Sequence, residues 1–218
     1  MIGDSNLEKL RNKSVALFGV GGVGGFVLEG LARSGIGKIA IFDKDVVDES
    51  NLNRQIIATE KTIGQDKVLV AKERVLSIDS SIEVQAQKIF YLPENADQFD
   101  FSKYDYIIDA VDTVSAKISI IENARKSGVP VISCMGTGGK VNPELLRVST
   151  IEKTSVCPLA KVMRKELKNR GITGVKVLYS TEENVVKASE DKVMPSMVFV
   201  PATAGILIAN EVVKDLIK

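Results

Sequence analysis

Apolar residues fall along this chain in two alternating rhythms. Short unbroken runs rich in β-branched residues, SVALFGV and KIAIFD, are bounded by glycine or acid, as strands buried on both faces are. Between them, GFVLEGLARSG places Phe26, Val27, Gly30 and Leu31 on one helical face, so the three segments predict a βαβ unit. The alternation continues with a helix over KVLVAKERVLSID, a strand at IEVQAQ, a strand at YDYIIDAV, a helix over SAKISIIENARKSG and a strand at VPVISCM. This order predicts an α/β fold with a doubly wound, Rossmann-like, mostly parallel sheet up to Met135.

Beyond Met135 the rhythm changes. LLRVSTIEK and VKVLYS read as strands of a mixed C-terminal extension, separated by a charged helix near LAKVMRKELKNRG. A last helix, AGILIANEVVKDLIK, closes the core or a subunit interface. The path from Thr173 to Pro195 is not set by the pattern and is a candidate substrate loop. The expected organisation is one unit, 1–218, with a nucleotide-binding half over about 1–135 and a substrate or dimer half over about 136–218.

Composition narrows the function. With 44% hydrophobic residues the chain can bury a sizeable core, and 29 Lys plus Arg against 28 Asp plus Glu leave a net charge of +1. Bulk charge therefore draws in neither nucleic acid nor anionic lipid, and a polyanion site has to be a local patch. The two cysteines, Cys134 and Cys157, form no C-x-x-C pair, and there is no histidine, so no zinc is expected. The start has no apolar signal core, and the apolar run in MVFVPATAGILIAN is broken by Pro201, which together predict a cytoplasmic protein with no membrane contact.

The candidate chemistry gathers at strand ends. GVGGVG, with Gly19, Gly21, Gly22 and Gly24, fits the turn whose backbone N–H groups approach phosphate at a helix N-terminus, although a tight βα turn alone would use the same residues. Asp43, at the end of the second strand, supplies a carboxylate for ribose hydroxyls, or is an ordinary surface acid. A dinucleotide needs little positive charge beyond the turn, so Arg54 and Lys67, with Asn51 beside them, point instead to a triphosphate held with Mg²⁺. Arg54 could equally pair with Asp45 or Asp48. DAVDT puts Asp109 and Asp112 at the carboxyl edge of the sheet, with Asp112 also a possible N-cap of the following helix. Cys134 reads as buried, and Cys157, before Pro158, as a packed hydrophobe or as a thiol serving a sulfur-relay protein.

In order and spacing, GVGGVG, FDKDVVDESNLNRQ, TIGQDK and DAVDT resemble the ATP-dependent adenylating enzymes of the E1-like superfamily, which includes the ThiF, MoeB and HesA proteins. KTSVCPLAKVMRKELKNRGI, VLYSTE and FVPATAGILIANEVVKDLI resemble the branch that cyclises threonylcarbamoyladenosine in tRNA. The resemblance implies that Asp43 binds the ATP ribose, that Asn51, Arg54 and Lys67 bind phosphate, and that Asp112 holds Mg²⁺ and supports adenylation, a role Asp109 does not align with. It implies a homodimer and a tRNA substrate, for which Lys161, Arg164, Lys165 and Lys168 form a basic strip by their helical spacing or an ordinary solvated face partly neutralised by Glu166. It also implies a leading arginine that reaches the partner subunit's ATP. Arg11, the first arginine, lies too close to the first strand to match it. Three rival readings stand: adenylation of a sulfur-carrier protein, whose enzymes usually carry two C-x-x-C pairs that this chain lacks, an NAD-dependent oxidoreductase, and a non-catalytic nucleotide-binding scaffold.

Overall fold

In the computed structural model, which describes residues 2–183 and 194–218, the chain opens with a helix that its periodicity did not signal, α1 (Asp4–Arg11). Only Leu10 of that helix is buried, too thin an apolar stripe to read in sequence. Arg11 ends it, just before the first strand.

The predicted alternation then forms as β1 (Ser14–Phe18), α2 (Gly24–Arg33), β2 (Lys38–Asp43), α3 (Lys67–Ile78), β3 (Glu83–Lys88), β4 (Tyr106–Asp109), α4 (Val114–Lys126) and β5 (Val131–Cys134). The later part adds β6 (Leu146–Thr150), α5 (Pro158–Asn169), β7 (Lys176–Ser180) and α6 (Phe199–Leu216). All seven strands share one sheet in the order β3-β2-β1-β4-β5-β7-β6. Every pairing is parallel except that of β6 with β7, so the expected doubly wound sheet with a mixed extension is the fold observed. β7 opens the stretch that the sequence left without a path, and residues 184–193 of that stretch lie outside the described residues.

Side-chain alternation along β1 explains the layers. Val15 and Leu17 face a core shared with α2, α3 and α6, while Ala16 and Phe18 face a second core shared with α4 and α5. α6 starts earlier than the sequence predicted, because Pro201 falls in its first turn, where a missing N–H leaves no helical bond unmade. Its Gly205 lets it lie directly on α2: a Cβ there would sit 2.5 Å from the Val23 carbonyl oxygen. The order of strands reverses between β1 and β4, and open α/β sheets bind ligands at such a point.

Candidate active site

The glycine turn between β1 and α2 closes on itself. Gly19 has φ 92° and donates its N–H to the Phe42 carbonyl at 2.8 Å. A Cβ on Gly24 would lie 1.9 Å from the Gly19 carbonyl oxygen, so only glycine allows α2 to start this close to the strand end. Asp43 braces the same turn: one carboxylate oxygen accepts the Val20 N–H at 2.6 Å and the other the Asp45 N–H at 2.8 Å. It is therefore not a loose surface acid, and each oxygen keeps a lone pair for a ligand hydroxyl.

The segment after β2 is folded by its own side chains. Asp48 accepts the Ser50 N–H at 2.8 Å and Asn51 Oδ1 accepts the Asp48 N–H at 3.1 Å, a reciprocal cap that buries Asn51. Hydrogen bonds from Ser50 hold the Asp48 carboxyl below the usual carboxylate range. Arg54 forms no ion pair with Asp45 or Asp48; its guanidinium donates to the Ser50 carbonyl at 2.7 Å and to Asn53 Oδ1 at 2.9 Å. Asp45 pairs with Lys67 instead, at 3.2 Å. Lys67 is the first residue of α3 and only 6% exposed, a buried cation beside a helix N-terminus that an anionic ligand would stabilise. Gln55 is also buried, and its Oε1 has no hydrogen-bond partner among the described residues. Nothing in the residue pattern signals that orphaned acceptor.

These residues converge on one cavity of about 480 Å³ at the switch point. Gly19, Gly21, Gly22, Asp43, Asn51, Gln55, Arg54, Lys67 and Asp112 all line it; Gly24 lies buried behind the turn. Phe18, Phe42, Ile89 and Tyr91 form an apolar wall, with Phe18 and Phe42 stacked at 4.8 Å, and Lys44 caps the Phe90 ring at 3.8 Å. This gives a slot for a flat base beside a polar floor for phosphate. The opposite wall is the 110–112 turn and the segment 134–138. Glu182 secures the chain just past that segment by accepting the N–H groups of Val141 and Asn142 and the Asn142 side-chain amide at 2.9–3.2 Å.

Asp112 is exposed at the rim and is not the N-cap of α4, which is Thr113. Asp109, by contrast, is fully buried beneath the floor and paired with Lys117. Among the described residues no three His, Cys, Asp or Glu side chains cluster as a metal site. A Mg²⁺ held by one carboxylate and substrate phosphates needs no such cluster, so Asp112 fits that role.

The basic strip lies on α5, outside the cavity. Lys161, Lys165 and Lys168 are exposed, but Arg164 is half-buried and turned inward onto the Thr154 carbonyl and hydroxyl at 2.7 and 2.6 Å. Glu166 does not neutralise the strip: it pairs with Arg170 at 2.7 Å. Cys157 is 2% exposed and Cys134 is buried, its thiol pushed up to about 12 by burial, so neither presents an accessible sulfur.

A model of the ThiF family matches residues 1–218. The chain belongs to the ThiF family. Among its ThiF-family relatives, the tRNA threonylcarbamoyladenosine dehydratase of Bacillus subtilis is 42% identical over 233 residues, spanning 100% of this chain and 92% of the relative. The Escherichia coli enzyme of the same name is 34% identical over 201 residues, 88% of this chain and 75% of that one. The crystal structure of the Escherichia coli protein, TcdA, in complex with ATP superposes with a TM-score of 0.91 at 32% identity, covering 98% of this chain and 89% of that one. A second crystal structure of that protein, in complex with AMP, superposes equally well. No helix among the described residues is long and apolar enough to cross a membrane.

Proposed function

We propose that this chain cyclises threonylcarbamoyladenosine in tRNA by ATP-dependent adenylation of its threonyl carboxylate. The observation that carries this reading is the cavity at the β1–β4 switch point, where the glycine turn, Asp43, Asn51, Arg54 and Lys67 converge. It occurs in a chain 42% identical along its whole length to a Bacillus subtilis enzyme of that activity.

Each group then has a task. The apolar wall takes the adenine, Asp43 accepts from the ribose hydroxyls, and the turn N–H groups with Asn51, Arg54 and Lys67 hold the phosphates. A carboxylate oxygen of the substrate attacks the α-phosphorus, and pyrophosphate leaves with its charge matched by Arg54 and Lys67. A nucleophile within the same modification next attacks the activated acyl carbon, expels AMP and gives up its own proton to solvent. The former carboxylate oxygen departs inside AMP, so the base has lost the elements of water. Asp112 would hold a Mg²⁺ ion, which would supply further neutralisation of phosphate charge.

The exposed Lys161, Lys165 and Lys168 are the tRNA contact, with Arg164 shaping the helix from behind. The chain works as a homodimer. Exposed apolar residues Leu69 on α3 and Phe199 and Ile206 on α6 lie in the helical layer on one side of the sheet, where a second copy would cover them. A tRNA substrate is in keeping with a cytoplasmic enzyme, and the proposed chemistry is that of an adenylate-forming ligase. Cys157 is buried and offers no accessible thiol to a sulfur-relay partner.

The deciding experiment is AMP release from ATP and Mg²⁺ with tRNA bearing threonylcarbamoyladenosine, against unmodified tRNA and no tRNA. AMP is expected only with the modified tRNA, together with loss of one water from the base by mass spectrometry. Equal AMP from all three reactions, or none with the modified tRNA, overturns the proposal.

A further inference from the structure

Asp112 stands at the rim of the cavity with little to hold it. It is exposed, and among the described residues its only side-chain bond is a long one, 3.3 Å, from the neighbouring Thr113 hydroxyl. Thr113, the N-cap of α4, makes no side-chain cap. The position of Asp112 is therefore set by the backbone of the 110–113 turn, and the question is what sets that backbone.

The answer lies directly beneath. Asp109, the last residue of β4, and Lys117, in the first turns of α4, form an ion pair at 3.0 Å with both side chains 0% exposed. The other Asp109 oxygen accepts the Val111 N–H at 3.1 Å, which fixes the first peptide of the turn. The register of β4 on β5 places Ser133 opposite Asp109, and the Ser133 hydroxyl donates to that carboxylate. Lys117 also donates to the Cys134 carbonyl at 2.7 Å, where β5 passes into the opposite wall of the cavity. One buried network thus fixes the ends of both strands and spans the segment that carries Asp112.

A buried ion pair is a poor way to gain stability, since apolar side chains of similar volume fill such a space as well or better. What apolar side chains could not do is hold the Val111 N–H and the Cys134 carbonyl in place. We infer that Asp109 and Lys117 are positioning residues: acting through the 110–113 turn, they hold Asp112 where the α-phosphate and the substrate carboxylate meet. The inference rests on the adenylation proposed above.

The test pairs an apolar replacement, Asp109→Leu with Lys117→Met, with the milder Ser133→Ala. Thermal unfolding, ATP affinity by calorimetry and the kinetics of AMP formation are measured on each and on the unaltered protein. The apolar pair is expected to stay folded with a melting temperature lowered by a few degrees, because the Val111 N–H and the Cys134 carbonyl lose their side-chain partners, to bind ATP within about 3-fold of the unaltered protein, and to lose about 30-fold or more in kcat with little change in KM for ATP. Ser133→Ala, which removes one donor and leaves the pair, is expected to lose about 3- to 10-fold in kcat and to stay folded with a modestly lowered melting temperature. A folded apolar pair with normal kcat overturns the inference alone. Should that pair not fold, a normal kcat in Ser133→Ala overturns it. Absence of AMP from the unaltered protein overturns the inference together with the function it rests on.

Discussion

At the scale of single residues, the site is a set of charges placed to meet charge. Among the described residues Arg54 hydrogen-bonds only within its own turn, to Ser50 and Asn53, so its removal costs the fold little. Arg54→Ala is expected to weaken ATP binding or AMP formation by roughly 10- to 100-fold, the worth of one charge-assisted contact, with an unchanged melting temperature. Isothermal titration with ATP beside a thermal melt checks both halves of that statement. Gly24→Ala is expected to do the reverse, lowering stability by about 3 kcal/mol because its Cβ meets the Gly19 carbonyl, a backbone atom that cannot swing away. Chemical denaturation measures it. The glycine turn and Asp43 were legible in the sequence because the chemistry is contiguous there: turn, helix and acid follow one another within one βαβ unit. The partners of Lys67 and Arg54 were not, since Asp45 could have gone to either cation, and only the start of α3 beside Asp45 decides for Lys67.

At the scale of elements, the strands read well because both faces of a parallel sheet are buried and their runs are plainly apolar. α1 escaped because a single buried leucine carries no periodicity. Contacts between elements escaped as well: Asp109 on Ser133 depends on strand register, and Glu182 on Val141 and Asn142 joins segments some forty residues apart. Another such contact makes a pH prediction. Asp215 on α6 loses some affinity for charge through burial, yet bonds from Lys176 on β7, Lys218 and Tyr106 on β4 hold its carboxyl down at about 2. Its folded value lies below its unfolded value, so its contribution is complete above about pH 4 and is lost as the pH falls toward 2. Asp215→Asn is expected to be less stable by up to about 2 kcal/mol at neutral pH, with the gap narrowing in urea titrations carried into that acid window. On α5, replacing Lys161, Lys165 and Lys168 together by alanine is expected to reduce the slope of log affinity for tRNA against log salt by about 2, read from filter binding at several ionic strengths. An unchanged slope returns that helix to an ordinary solvated face.

At the scale of the whole molecule, the two helical layers have different outer surfaces. The layer of α2, α3 and α6 carries exposed Leu69, Phe199 and Ile206, whereas α5 on the other side shows lysines. Phe199→Glu with Ile206→Glu is expected to halve the mass seen by light scattering if that layer is the dimer face, while leaving the far side and its tRNA contact intact. The sheet order carries a consequence of another kind, for the moment of synthesis. Among the described residues β7 is the last strand made, yet it lies between β5 and β6, and β6 pairs with no other strand. A ribosome that has delivered residues 14–134 has already released every strand of the parallel β1–β5 portion. β6 then emerges with both edges bare and must wait through the whole of α5 for its neighbour. A nascent chain halted before Lys176 would carry the strands and turns that make most of the nucleotide cradle, without the α6 that covers α2 and lends Pro201 to the cavity, and an unclaimed strand, so chaperones that grip bare strand edges would find their target in that interval.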